Sequence, residues 1–174
     1  VPAVNLEKPK AEVTQHLRAL IQIDTTTLPG NETKAVEYLK GVLEAEGIPV
    51  KTFALVPNRA NLVARLKGNG SKRPILLMAH TDVVPVQRDK WPVDPFGGVM
   101  QDGYIWGRGS RDDKSQVAAM LETMLLLKRS GVDQEKVFQA LQKLRGSHRV
   151  TDANAESKYR SLEKYGRDLT ALAR

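Results

Sequence analysis

Residues 75–79 (ILLMA) form a short, unbroken apolar run that ends on His80-Thr81-Asp82. They suit a strand buried on both faces of a sheet, as in α/β proteins. In extended chain, residues two apart point the same way. The run is therefore expected to deliver an imidazole and a carboxylate side by side at the C-terminal edge of a sheet, where open α/β sheets place their ligands. Taken alone, His-x-Asp is weak evidence, and a polar strand end entering a loop is the more frequent source of such a pattern.

The surrounding pattern fits that class. Residues 11–21 (AEVTQHLRALI) carry Val13, Leu17 and Leu20 at helical spacing, with His16 expected at the helix surface or partly packed. Asp24 to Asn31 (DTTTLPGN) reads as a loop, with Asn31 placed to cap the next helix. That helix is expected over about Glu32–Glu46, with Val36, Tyr38, Leu39 and Leu43 inward and Gly47 as its left-handed stop. Strands are expected at 49–56 and 61–67, with Gly68-Asn69-Gly70 as a turn, and two shorter ones around Val99 and Tyr104–Trp106, punctuated by Asp102-Gly103. Residues 114–129 return to helical periodicity. The order α-α-β-β-β-loop-β-β-α indicates an α/β sandwich.

Beyond Gly131 no strand is legible. Residues 133–145 read as an amphipathic helix with Val137, Leu141 and Leu144 on one face. Residues 155–173 read as a second helix that Gly166 weakens by ~1 kcal/mol relative to Ala. The expected division is an α/β domain over 1–131 and a helical segment over 132–174.

Composition narrows the chemistry. The 174 residues include no cysteine and three histidines, His16, His80 and His148, so any metal is held by His, Asp or Glu. The formal net charge is +7, spread as +4 over residues 1–132 (18 Lys/Arg, 14 Asp/Glu) and +3 over 133–174 (9 and 6). With no basic run and little aromatic interleaving, this is a solvated basic surface rather than a nucleic-acid site. No apolar run approaches the ~20 residues of a membrane span, so the chain reads as soluble. No basic, apolar leader is visible and localisation is not encoded. Val1 stands where Met would begin a chain, so either a leader was removed or the numbering starts inside a longer protein.

A second chemical element is Trp106-Gly107-Arg108-Gly109-Ser110-Arg111-Asp112-Asp113-Lys114. A strand runs into a glycine turn, and two carboxylates precede a helix. An Asp there can cap the helix or offer both oxygens to two cations. The runs LLMAHTDVVP, WPVDPFGG and DGYIWGRGSRDDK, with the upstream IDTTTLPGNE loop, together resemble the dizinc hydrolases of peptidase family M-20, which include aminoacylases, carboxypeptidase-S-type enzymes and amino-acid deacylases. The resemblance covers about residues 8–131. It implies a three-layer α/β sandwich fragment of the zinc-exopeptidase kind. It implies that His80 is a zinc ligand, that Asp82 is the catalytic-site residue orienting it, that Asp112 bridges two zinc ions, and that the Asp112-Asp113 peptide is cis. The implied substrate is a small peptide or an N-acyl amino acid. Ser115 stands where many members carry Gly.

The family's Glu-Glu pair, general base and zinc ligand, has no counterpart here, because the sequence contains no Glu-Glu dipeptide. The context of His148 does not match the family's final His. The resemblance therefore implies weak or absent zinc binding and no turnover by this chain alone. The tail RGSHRVTDANAESKYRSLEKYGRDLTALAR, with VDQEKVFQALQKL before it, resembles the connector between the N-terminal domain and the first ATPase domain of ClpB-type disaggregases. No Walker phosphate loop is present, so that resemblance implies no nucleotide hydrolysis. Read this way, the chain is a chimera, natural or engineered, and the alternative function is that of a non-catalytic or interaction protein.

Overall fold

The computed structural model describes residues 6–68, 70 and 73–131. The helices expected over 133–145 and 155–173, His148, and the connector-like tail lie outside the described residues.

Helix α1 runs Glu7–Gln22, four residues longer at its start than the apolar spacing suggested. Pro9 falls in its first turn, where backbone N–H groups have no intrahelical acceptor and a missing donor costs nothing. Helix α2 covers Glu32–Ala45 and buries Ala35, Val36, Leu39 and Leu43 along one stripe. Gly47 ends it at φ 66°. The Ile48 N–H returns to the Leu43 carbonyl at 2.9 Å, which satisfies an orphan acceptor of the last turn. Asn31 occupies the N-cap position, but its side chain makes no cap hydrogen bond and donates instead to the Asp24 carbonyl. It ties the loop to itself rather than closing the helix.

Strands β1 (Val50–Ala54) and β2 (Ala60–Ala64) form one antiparallel hairpin, and β3 (Val99–Gln101) and β4 (Tyr104–Trp106) form another. Asp102 and Gly103 both take positive φ, 54° and 79°. That is the turn whose twist matches a two-residue hairpin loop. Helix α3 covers Lys114–Arg129. Helix α1 packs chiefly on α3, and α2 on the β1–β2 hairpin. One cluster joins them: Leu20 from α1, Ala35, Leu39 and Leu43 from α2, Ile48, and Val117, Ala118, Leu121 and Leu125 from α3. Each fully buried Leu there contributes about 1.5–3 kcal/mol.

The architecture is thus mixed α and β, and the layering of a three-layer sandwich is not seen among the described residues. The clearest departure is at 75–79. No ladder forms there, and Leu76 and Met78 are 78% and 74% exposed. A strand buried on both faces needs a hydrogen-bonding neighbour and a packed layer on each side. The described hairpins pair only internally and offer it neither. His16 also departs from expectation. It is buried, with Nδ1 2.7 Å from the Tyr38 hydroxyl, and burial holds its pKa below the ordinary value. Among the described residues no helix is long and apolar enough to cross a membrane.

Candidate metal centre

The segment after the apolar run is held by the threonine loop. Thr26 and Val83 form an isolated parallel bridge. The Val83 N–H donates to the Thr25 carbonyl at 3.1 Å, and the Thr27 N–H to the Val83 carbonyl at 2.9 Å. The Thr25 hydroxyl donates to the Thr81 carbonyl, and the Thr27 hydroxyl to that of Val83. Thr25 is fully buried. The run Thr25-Thr26-Thr27, read from sequence only as loop, is what fixes His80-Thr81-Asp82 in place. Its signal was three consecutive β-branched residues, which favour extended backbone.

Asp112 and Asp113 are brought in from the other side by the glycine turn. At Gly107, a Cβ would lie 2.3 Å from Ile21 Cγ2. At Gly109, whose φ is 82°, it would lie 2.7 Å from Val83 Cγ1. Both positions need glycine for close approach, and Gly109 also for its dihedral. The Asp112-Asp113 peptide is cis. Behind it, Lys114 is completely buried, and its Nζ donates to the carbonyls of Leu20 and Ile23 at 2.8 and 2.7 Å. Burial pushes the Lys114 amine down to about 8, while the Asp24 charge pulls the other way. A lysine on the last carbonyls of α1 serves as that helix's C-terminal cap.

These two supports bring His80, Asp82 and Asp112 together. His80 Nδ1 lies 3.0 Å from Asp82 Oδ1, and Nε2 lies 3.1 Å from Asp112 Oδ1. The His80 backbone N–H donates to Asp113 Oδ2 at 3.3 Å, which occupies one Asp113 oxygen. Burial lowers the His80 pKa, but the hydrogen bond to Asp112 and the charge of Asp82 outweigh it and raise the imidazole above its ordinary value. The His80 side chain is 52% exposed and that of Asp112 87%, so solvent weakens these pairings.

A 3.1 Å separation between an imidazole nitrogen and a carboxylate oxygen is the span of two donors that share a small cation at about 2.0–2.2 Å each. A carboxylate on the far ring nitrogen is the usual support of a metal-binding His. His80 and Asp112 therefore offer two donors of the kind that zinc takes. Among the described residues no group of three or more His, Cys, Asp or Glu converges to complete it.

The three residues line an open cleft of about 270 Å³ together with Trp91, Arg108 and Arg111. The Arg108 guanidinium lies over the Trp91 ring, 5.4 Å from its centroid. Sequence reasoning did not single out Trp91, Arg108 or Lys114 for a role. They are ordinary residue types whose importance depends on what they meet in space.

Residues 76–141 match Peptidase family M20/M25/M40, a stretch that contains His80, Asp82 and Asp112 and runs ten residues past the division expected at 131. The chain is 33% identical over 149 residues to the N-fatty-acyl-amino acid synthase/hydrolase PM20D1 of Homo sapiens, an alignment covering 81% of this chain and 30% of that protein. It is 47% identical over 79 residues to the succinyl-diaminopimelate desuccinylase of Methylobacterium radiotolerans, covering 44% and 19%. It is 52% identical over 66 residues to the probable carboxypeptidase S-like 2 of Dictyostelium discoideum, covering 37% and 13%. The chain spans less than a third of the length of each of these relatives. Its similarity is to hydrolases of the peptidase and amidohydrolase kind.

Proposed function

We propose that this chain carries part of the catalytic centre of a zinc-dependent amidohydrolase. In this reading His80 and Asp112 are zinc ligands, Asp112 is shared between two ions, and Asp82 orients His80. The observation that carries it is the chain Asp82 Oδ1–His80 Nδ1, His80 Nε2–Asp112 Oδ1, with separations of 3.0 and 3.1 Å. Asp82 accepts the Nδ1 proton and so fixes the tautomer that leaves Nε2 free to bind a metal. A zinc ion held by His80 and Asp112 would supply Lewis acidity toward an amide carbonyl and toward water. By analogy with the named substrates of its relatives, the bond acted on is an amide in a small peptide or an N-acyl amino acid.

Two protein donors are about half of what a zinc ion usually takes, and no Glu-Glu pair is present to supply a further ligand and a general base. The chain by itself is therefore expected to bind zinc weakly and to give no turnover above background. Calorimetric titration of zinc into the folded chain tests the ligand assignment. Weak binding that disappears in His80→Ala and Asp112→Ala supports it, and binding unchanged in His80→Ala sinks it. Robust, zinc-dependent hydrolysis of N-acyl amino acids or dipeptides would instead overturn the expectation of inactivity.

A further inference from the structure

We infer that Arg108, seated on Trp91, is the group in this cleft that recognises a carboxylate on the bound molecule. The inference rests on the reading of the cleft as a substrate site and names the chemistry of what it takes.

Two carboxylates, Asp82 and Asp112, line the same cleft as Arg108. Neither neutralises it, since both pair with His80. The guanidinium's one side-chain hydrogen bond runs from Nη2 to the Pro85 carbonyl at 3.5 Å, the outer limit of such a bond. Its Nε is enclosed and has no partner. The charge is therefore held in the cleft wall with its Nη edge largely unspent.

The backbone fixes where that edge sits. The Arg108 N–H donates to the Pro95 carbonyl at 2.6 Å. Gly107 and Gly109 on either side are locked by close approach to Ile21 and Val83. The cation–π contact with Trp91, 5.4 Å from Cζ to the ring centroid, holds the guanidinium against the cleft wall. A planar fork of donors, pre-oriented and held internally only by the long bond to Pro85, matches a carboxylate in two-point fashion, which a lysine cannot reproduce. Arg111 also lines the cleft, but it is exposed, and no comparable contact orients it. A molecule bound here with its amide toward His80 and Asp112 would turn an adjacent carboxylate to Arg108.

The test follows the Trp91 indole N–H resonance of the full chain by two-dimensional NMR during titration, without added metal. The ligands are N-acetylalanine and its uncharged analogue N-acetylalaninamide. N-acetylalanine should shift that resonance saturably and bind at least roughly tenfold more tightly than the amide, as expected for loss of a charge-assisted hydrogen bond. Arg108→Lys should remove most of this preference, and Arg108→Met all of it. The comparison of acid with amide needs no metal, whereas the ligand assignment is read from the zinc titration, so that a failed metal assignment and a failed carboxylate assignment give different results. Equal binding of acid and amide overturns the inference, as does binding of neither. Both comparisons are made on the unaltered chain, so they stand even where an Arg108 variant does not fold. An acid preference that survives in folded Arg108→Met also overturns it.

Discussion

Lys114 Nζ, fully buried at the start of α3, donates at 2.8 Å to the carbonyl of Leu20 near the end of α1. The two residues are 94 positions apart in the chain. A second bond to Ile23 completes the tie. Lys114→Met keeps the stem's volume but removes the donors, leaving buried carbonyls short of partners. We expect a loss of roughly 2–4 kcal/mol in urea unfolding. Arg at this position should not rescue, because an enclosed site has no room for a guanidinium. A melt unchanged in Lys114→Met would show that the contact contributes nothing.

Asp82 is expected to act through His80 alone. Asp82→Asn can still hydrogen-bond the ring but no longer bears a charge. Competition against a chromophoric chelator should show zinc affinity reduced by about 10- to 100-fold, with the thermal melt of the metal-free protein changed little. Unaltered affinity would remove Asp82 from the centre.

Glu122 gives a pH dependence of defined sign. Both its oxygens are buried without a hydrogen-bond donor. Burial, with Glu12 adding to it, raises its pKa above the ordinary 4.5 while Arg129 opposes. A raised carboxyl pKa contributes stability that is present below 4.5 and lost as pH rises through the folded value. Glu122→Gln should therefore stabilise the protein at pH 7 by on the order of 1 kcal/mol and confer no advantage at pH 4. Glu12 and Glu46 behave oppositely. Their hydrogen bonds to Arg129 lower their pKa values, so their contribution is present above 4.5 and lost as pH falls through the folded values. Melts from pH 4 to 8 with and without the Gln substitution separate the two effects. An advantage for Glu122→Gln that grows toward pH 4 would show the assignment to be reversed.

The exposed run at 75–79 is expected to tolerate charge. Leu76→Lys together with Met78→Lys replaces side chains that are 78% and 74% exposed, so stability should stay within about 0.5 kcal/mol of the parent. Self-association measured by sedimentation should fall, because an exposed run of apolar side chains invites association. A loss of several kcal/mol would show that the segment is buried after all.

What the sequence determined by itself is what short-range physics controls. Helix α3 occupies the residues its periodicity marked, α2 stops at Gly47, and Asp102-Gly103 turns the second hairpin, because each depends on hydrogen bonds and dihedrals spanning a few residues. The residue types of the candidate centre, His80, Asp82 and Asp112, were legible for the same reason, as was their position beside strand-like and glycine-rich stretches. Tertiary structure decided everything that rests on distant partners. It buried His16 against Tyr38, left Ile75–Met78 without a ladder, and turned three loop threonines into the clamp on residues 81–83. It also sealed Lys114 under the end of α1 and laid Arg108 on Trp91. Periodicity reports which face of an element is apolar. Which polar group meets that face, across 20 to 90 residues of chain, depends on how the elements pack, and packing is a property of the whole arrangement rather than of any window within it.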